Sequence, residues 1–215
     1  MYAAPIVPAA VRRRLRVREA VMALMAEQGF RFSMEAVALR AGCSKQTLYS
    51  QFGSKQALMR SVMLEELDQA TVRLDEGARD ARSSLLDFAV GHLERLSDPT
   101  LVAACKLVNA EAHQFPEEAR SMFDDGCENL MRRLATWLDA AMRRGTLRRD
   151  DPHMAAELLL SMIGGMDFER QRFGLPHRDT DAARRRWAAF AVDAFLDVFA
   201  VATSQAGGSP VFPDP

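Results

Sequence analysis

An all-α fold is predicted by three features of the 215-residue sequence. Apolar residues recur at helical spacing wherever they are dense, and no segment alternates cleanly enough to form a half-buried strand. The nine prolines stand at 5, 8, 99, 116, 152, 176, 210, 213 and 215, so the long stretch between Pro8 and Pro99 holds none, and helix interiors there are free of the residue that breaks them. A chain that is 48% hydrophobic and 27% charged can bury a core and stay dissolved, in one or two domains at ~150 residues each. Three cysteines are too few for a disulfide-stapled secreted domain. The start, MYAAPIVPAA, has no basic residue ahead of its short apolar stretch, the reverse of a secretory leader. The longest uncharged core run, 158–166, is nine residues against the ~20 that a membrane helix needs. A cytoplasmic protein with reduced thiols and no membrane partner is expected.

The elements follow in order. In the first helix Val17, Val21, Leu24 and Met25 fall on one face and Gly29 stops the run. Two short helices are predicted over 34–41 and 45–52. A long one follows over 54–75, then others over 81–96, 99–113, 117–144, 152–172 and 180–203. Asp98-Pro99 and Asp151-Pro152 read as N-caps followed by a proline in the first turn, and Phe115-Pro116 also precedes a helical pattern. Residues 205–215, rich in Gly, Ser and Pro, read as a flexible tail.

Charge divides the chain more sharply than the net value of −1 suggests. Residues 1–60 carry ten Lys/Arg against three acids, a balance of +7, and the remainder carries −8. A cationic head on an acidic body points to a polyanion partner for the head alone. The plainer alternative is a solvated positive face.

The segment 29–58 gives that head a structure. Ser33 is a natural N-cap with Glu35 in the first turn. Gly42 supplies a positive-φ turn and Ser44 can cap the next helix. Short helix, glycine turn and short helix make a helix-turn-helix. On a helical wheel Leu48 and Phe52 anchor the third helix inward, so Gln46, Thr47, Tyr49 and Ser50 point outward. This outward face is polar and, apart from Lys45, uncharged. Its side chains both donate and accept, as base-edge reading requires, whereas the arginines and Lys55 supply phosphate attraction. Gly53-Ser54 restarts a helix whose N-terminal amides suit a phosphate. A helix-turn-helix used for packing or protein contact is the competing reading.

The stretch AGCSKQTLYSQFGSKQAL, preceded by Gly29-Phe30 and Ser33, resembles the DNA-binding domain of the TetR/AcrR family of transcriptional repressors. The likeness spans about 45 residues and rests on Thr47-Leu48-Tyr49, on Phe52, and on Ser54-Lys55 opening the fourth helix. It implies that Lys45, Gln46, Thr47, Tyr49 and Ser50 contact DNA, with Ser44 at the helix start, while Ser33, Gln51 and Lys55 hold the phosphate backbone. Two residues depart from the family pattern. Cys43 stands where valine is usual and Arg18 where an aliphatic residue is usual, and both are tolerable, since cysteine packs as a small hydrophobe and Arg18 would lie at the edge of the apolar stripe.

The body shows wide apolar stripes on its last two helices, with Trp187, Phe190, Ala191, Ala194, Phe195, Val198, Phe199 and Ala202 on one and Ala155, Leu158, Leu159, Met162 and Met166 on the other. A single core could absorb them. The resemblance implies instead a four-helix bundle across a two-fold axis, with Leu158, Leu159, Met162, Phe190, Ala194, Phe195 and Val198 at a homodimer interface. It also implies an effector pocket in residues 81–175. The segment 109–123 resembles the C-terminal domain of one repressor subgroup without identifying a ligand. Phe88, Phe115, Trp137, Met162, Met166, Phe168 and Phe173 are candidate lining, with His92, Asn109 and His113 as polar contacts and ordinary core packing as the alternative for each. The four histidines share no ligand spacing with the cysteines, so no metal or cofactor is expected. Cys43, Cys105 and Cys127 read as inert thiols, with an oxidation-sensing pair at the last two left open.

These readings combine into an all-α protein with a helix-turn-helix DNA-binding domain over 9–55 and a helical effector-binding and dimerisation domain over 56–204. As a homodimer it would bind a palindromic operator in double-stranded DNA, and a small, mostly apolar effector would release it. The alternatives are a helical enzyme or carrier, for which no GxSxG, Walker or dinucleotide motif is found, and a constitutive DNA-binding protein.

Overall fold

The computed structural model describes residues 8–74, 80–175 and 178–201. The 205–215 tail, Ala202 and His177 therefore lie outside the described residues. Serine caps open the second to fourth helices and glycines close the first three. Helix α1 (Ala9–Gln28) buries Val17, Ala20, Val21, Leu24 and Met25 and ends at Gly29, where a 3₁₀ turn, Gly29–Arg31, follows. Ser33 Oγ accepts the Ala36 N–H at 3.1 Å to start α2 (Met34–Ala41), and Gly42 closes it in the left-handed region at φ +67°. Ser44 Oγ accepts the Thr47 N–H at 3.0 Å to start α3 (Lys45–Phe52). Ser54 does the same for α4 (Lys55–Thr71) through the Ala57 N–H at 3.1 Å. Each cap satisfies an otherwise orphan donor, a contribution of about 1 kcal/mol.

The body continues with α5 (Ala81–Leu96), α6 (Pro99–Glu111), α7 (Pro116–Phe123), α8 (Asn129–Arg143), α9 (Pro152–Gly164), α10 (Asp167–Arg172) and α11 (Asp181–Phe199). Both Asp-Pro signals act as expected. Asp98 Oδ1 accepts the Leu101 N–H at 2.9 Å, and Asp151 Oδ1 accepts those of His153 and Met154 at 2.8 and 3.1 Å. Among the described residues no strand forms; a single antiparallel bridge joins Leu147 to Ala200.

Four boundaries differ from the sequence expectation. The run 117–144 is divided by a π-helical turn, Asp124–Glu128. The run 152–172 breaks at Gly165, whose φ of +50° ends α9. A Cβ there would lie 3.1 Å from the Trp187 ring, and the Trp187 indole N–H donates to the Ile163 carbonyl at 2.8 Å, so the tryptophan occupies the break. The long helix 54–75 tightens into a 3₁₀ turn at Val72–Leu74. Helix α11 stops at Phe199 because Ala200 turns extended, and the Phe199 carbonyl accepts the Arg148 N–H at 2.7 Å.

Two cores result. The body core centres on Phe88, Leu134, Leu138, Leu159 and Phe195, all fully buried. The head core joins α1, α2, α3 and the start of α4, through Leu58, Met59 and Val62, to Ala104 and Val108 of α6. It therefore runs past the expected domain boundary at residue 55 and includes one face of the body. The same burial corrects two expected interface residues. Leu159 and Phe195 have no exposed surface and belong to the protomer's own core, because the stripes on α9 and α11 are wide enough to face two ways. Phe190, at 64% exposed, Leu158 and Val198 point outward, and Met162 and Ala194 are half-buried.

Candidate nucleic-acid interface

The outward face of α3 is set by one residue. Leu48 is fully buried and Phe52 packs half-buried against the head core, which turns Lys45, Gln46, Tyr49, Ser50 and Gln51 to solvent and leaves Thr47 half-buried. Thr47 Oγ1 lies 2.8 Å from Ser44 Oγ, so the hydroxyls at the helix start hold each other in place. Ser33 and Ser44 use their oxygens as caps, which fixes the N-terminal ends of α2 and α3 that would approach a phosphate backbone.

Several cations of the head are already engaged, which the charge count could not show. Lys45 is ion-paired with Glu35 of α2 and lies over the Tyr49 ring, 5.6 Å from its centroid. Hydrogen bonding to Lys45 lowers the Glu35 carboxyl and hydrogen bonding to Glu35 raises the lysine. Arg16 Nε donates to the Ala41 carbonyl at 3.0 Å, Arg40 pairs with Glu27 at 2.8 Å and Arg31 with Glu111 at 2.7 Å. A phosphate drawing on Lys45 would therefore have to compete with Glu35 for it. No single-residue signal at Glu35 announced this, although its place one helix away from Lys45 could have.

Lys55 sits differently from expectation. Its Nζ donates to the Phe30 carbonyl and stands 4.4 Å from the Phe32 ring centroid, and burial lowers its pKa. The ammonium ties the start of α4 to the turn after α1, leaving two of its three donors for a phosphate. Lys55→Ala is expected to cost about 1.5–3 kcal/mol by removing a charged hydrogen bond, read from urea melts, and to flatten the salt slope of DNA binding by ~0.9. An unchanged slope would restrict Lys55 to its structural bond.

The effector candidates do not converge. Phe88 is in the body core, stacked on His92 at 5.8 Å between centroids. Trp137 packs beside that core, Phe115 packs on Phe30 of the head at 5.8 Å, and Met162 and Phe168 are half-buried. Asn109, His113, Met166 and Phe173 are exposed. None of these ten lines the clefts found near α4, α6 and α7.

His92 has a consequence for stability. Burial first, and the neighbouring Arg95 charge second, push its pKa down from 6.5 to about 4. The unfolded chain then binds the proton first, so stability is full above about pH 6.5 and falls as pH drops toward 4. At about 1.4 kcal/mol per unit the loss reaches roughly 3 kcal/mol. His92→Phe, which keeps the stack, is expected to flatten this acid limb in melts between pH 4 and 7; an unaltered limb would place the titration elsewhere.

Cys43, Cys105 and Cys127 are free thiols, and burial raises the Cys105 pKa. Among the described residues no group of three His, Cys, Asp or Glu is placed to hold a metal ion, and no helix is long and apolar enough to cross a membrane.

No curated protein matches the chain. Solved structures do. A transcriptional regulator of the TetR family from Mesorhizobium loti is 27% identical, with 91% of this chain and 100% of that one covered at a TM-score of 0.71. The flavonoid-responsive regulator FrrA is 32% identical, covering 88% and 98% at 0.64. A TetR-family transcriptional regulator from Pseudomonas syringae pv. tomato is 25% identical, covering 87% and 97% at 0.62. Residues 17–62 match the family model described as bacterial regulatory proteins, tetR family. Residues 83–201, more than half of the chain, match the model described as AefR-like transcriptional repressor, C-terminal domain. With its serine-capped helix-turn-helix and its helical body each matched in turn, the chain belongs to the TetR family of DNA-binding transcriptional regulators.

Proposed function

We propose that the protein is a homodimeric repressor that binds a palindromic operator and leaves it when a small molecule enters the body. The observation that carries the operator reading is the face of α3. Gln46, Thr47, Tyr49 and Ser50 are donor–acceptor side chains projected from a helix fixed behind by Leu48 and at its start by Ser44, the chemistry that reads base edges in a major groove. Dimerisation is supported by Leu158, Phe190 and Val198, large apolar side chains left exposed on α9 and α11. A two-fold pair of heads would meet half-sites one DNA turn apart, ~34 Å. A coupling of ~1–3 kcal/mol between effector and operator would loosen DNA by roughly 5- to 150-fold.

The test is selection of bound fragments from a random duplex pool at physiological salt, with a Lys45/Gln46/Thr47 triple-alanine variant alongside. Recovery of a palindrome by the unaltered protein alone is expected, and recovery of no sequence by either would overturn the operator reading. Single Gln46→Ala or Thr47→Ala variants are expected to relax preference by ~1–3 kcal/mol at one base position. Equal loss on random DNA would contradict base reading.

A further inference from the structure

A cleft of about 500 Å³ opens where the head meets the body, between α1, α4, α5 and the start of α6. Its inner wall carries three charged groups from three helices. Glu66 of α4 stands between two guanidiniums, with Arg18 Nε of α1 3.5 Å from Oε1 and Arg95 Nη2 of α5 3.5 Å from Oε2. Arg95 Nη1 also donates to the Glu66 backbone carbonyl. These side chains are between one fifth and one third exposed. One carboxylate thus serves two cations at distances longer than charge-assisted hydrogen bonds take, leaving an excess positive charge on the inner wall. Arg18 Nη1 is shut off from solvent and has no hydrogen-bond partner. That atom is closed to a ligand, so a carboxylate in the cleft would meet the part-exposed remainder of the Arg18 and Arg95 guanidiniums.

The mouth of the cleft has the opposite character. Glu19, Glu94 and Asp98 are exposed there, and Met22, Ala23 and Leu101 provide half-buried apolar wall. A simple anion would suit the inner wall and meet three carboxylates on the way in; a simple cation would suit the mouth and meet two arginines inside. We propose that this cleft binds a small zwitterion with an apolar side chain, of the free α-amino acid class. Its carboxylate lies on Arg18 and Arg95, its ammonium faces Glu19, Glu94 and Asp98, and its side chain covers Met22 and Leu101. This chemistry differs from the mostly apolar effector that the aromatic content of the body suggests. As an effector site, a step that rests on the regulator reading above, it lies between α1 of the head and α5 of the body.

The test is titration calorimetry of the full chain without DNA, using leucine, 4-methylpentanoate, which lacks the ammonium, and 3-methylbutylamine, which lacks the carboxylate. Saturable binding of leucine is expected, with each half-charged analogue weaker by at least about tenfold. Arg18→Leu restores the aliphatic residue usual at that position and is expected to lose leucine binding while keeping its helical circular dichroism. Should that variant unfold, Glu19→Gln/Glu94→Gln, which alters only exposed groups and leaves Asp98, is expected to reduce the preference for leucine over 4-methylpentanoate. Absence of leucine binding, equal binding of 4-methylpentanoate, or an undiminished preference in the double variant would overturn the proposal. Because no DNA is present, that failure is distinct from failure of the operator selection.

Discussion

Gly29→Ala is expected to destabilise the protein by about 3–5 kcal/mol, a drop of roughly 10 °C or more in Tm for a chain of this size. Gly29 lies at φ +58° and ψ −130°, a region that side-chain-bearing residues enter only with strain of about 1–3 kcal/mol. A Cβ there would also lie 2.2 Å from Glu111 Oε2. That oxygen accepts the Phe30 N–H at 2.9 Å, and the same carboxylate pairs with Arg31 at 2.7 Å. Moving Glu111 therefore strips a backbone donor of a charged acceptor, a further ~1.5–3 kcal/mol. Gly42→Ala is the control. Gly42 also has positive φ, at +67°, but nothing lies within 4 Å of its added Cβ, so only the left-handed penalty of about 1–2 kcal/mol applies. Equal losses in the two variants, by urea denaturation, would remove the role assigned to Glu111.

The second large effect separates two phenylalanines five residues apart on α11. Phe195 is fully buried and stacks on Phe199 at 4.5 Å between centroids, so Phe195→Ala is expected to cost about 3–5 kcal/mol of folding stability. Phe190 is 64% exposed, and Phe190→Ala is expected to leave the protomer's helical content intact while shifting sedimentation toward monomer. A Phe190→Ala protein that stays dimeric at low micromolar concentration would remove this residue from the proposed interface.

Signals carried by adjacent residues were the legible part of this fold. Ser33, Ser44 and Ser54 each mark a helix start, Gly42 and Gly53 mark the turns between, and Asp98-Pro99 and Asp151-Pro152 open helices where those pairs stand. The face of α3 was legible because Leu48 fixes its rotation. Side selection on α11 was not, since a stripe holding Phe190, Phe195, Val198 and Phe199 spans about half the helix circumference and periodicity does not say which part meets a neighbour. The Gly164-Gly165 pair was a visible breaker that helical spacing on both sides obscured. Contacts across long separations, such as Glu111 with the Gly29–Phe30 turn and Glu35 with Lys45, depend on how helices are assembled and leave no local mark. For the same reason the candidate effector residues, chosen by type, scattered over both cores and the surface.

Sharing a core between head and body limits how freely these units can be recombined. Ala104 and Val108 of α6 fill the head's interior, Phe115 lies against Phe30, and Glu111 and Gln114 bind Arg31 and its neighbour. A chimera that transplants residues 9–62 onto a foreign body would carry an uncovered apolar face and an unsatisfied Phe30 amide unless the new α6 reproduced those side chains. On the proposed reading of α3, operator specificity of this protein would therefore be easier to change by substitution along that helix than by exchange of the whole head.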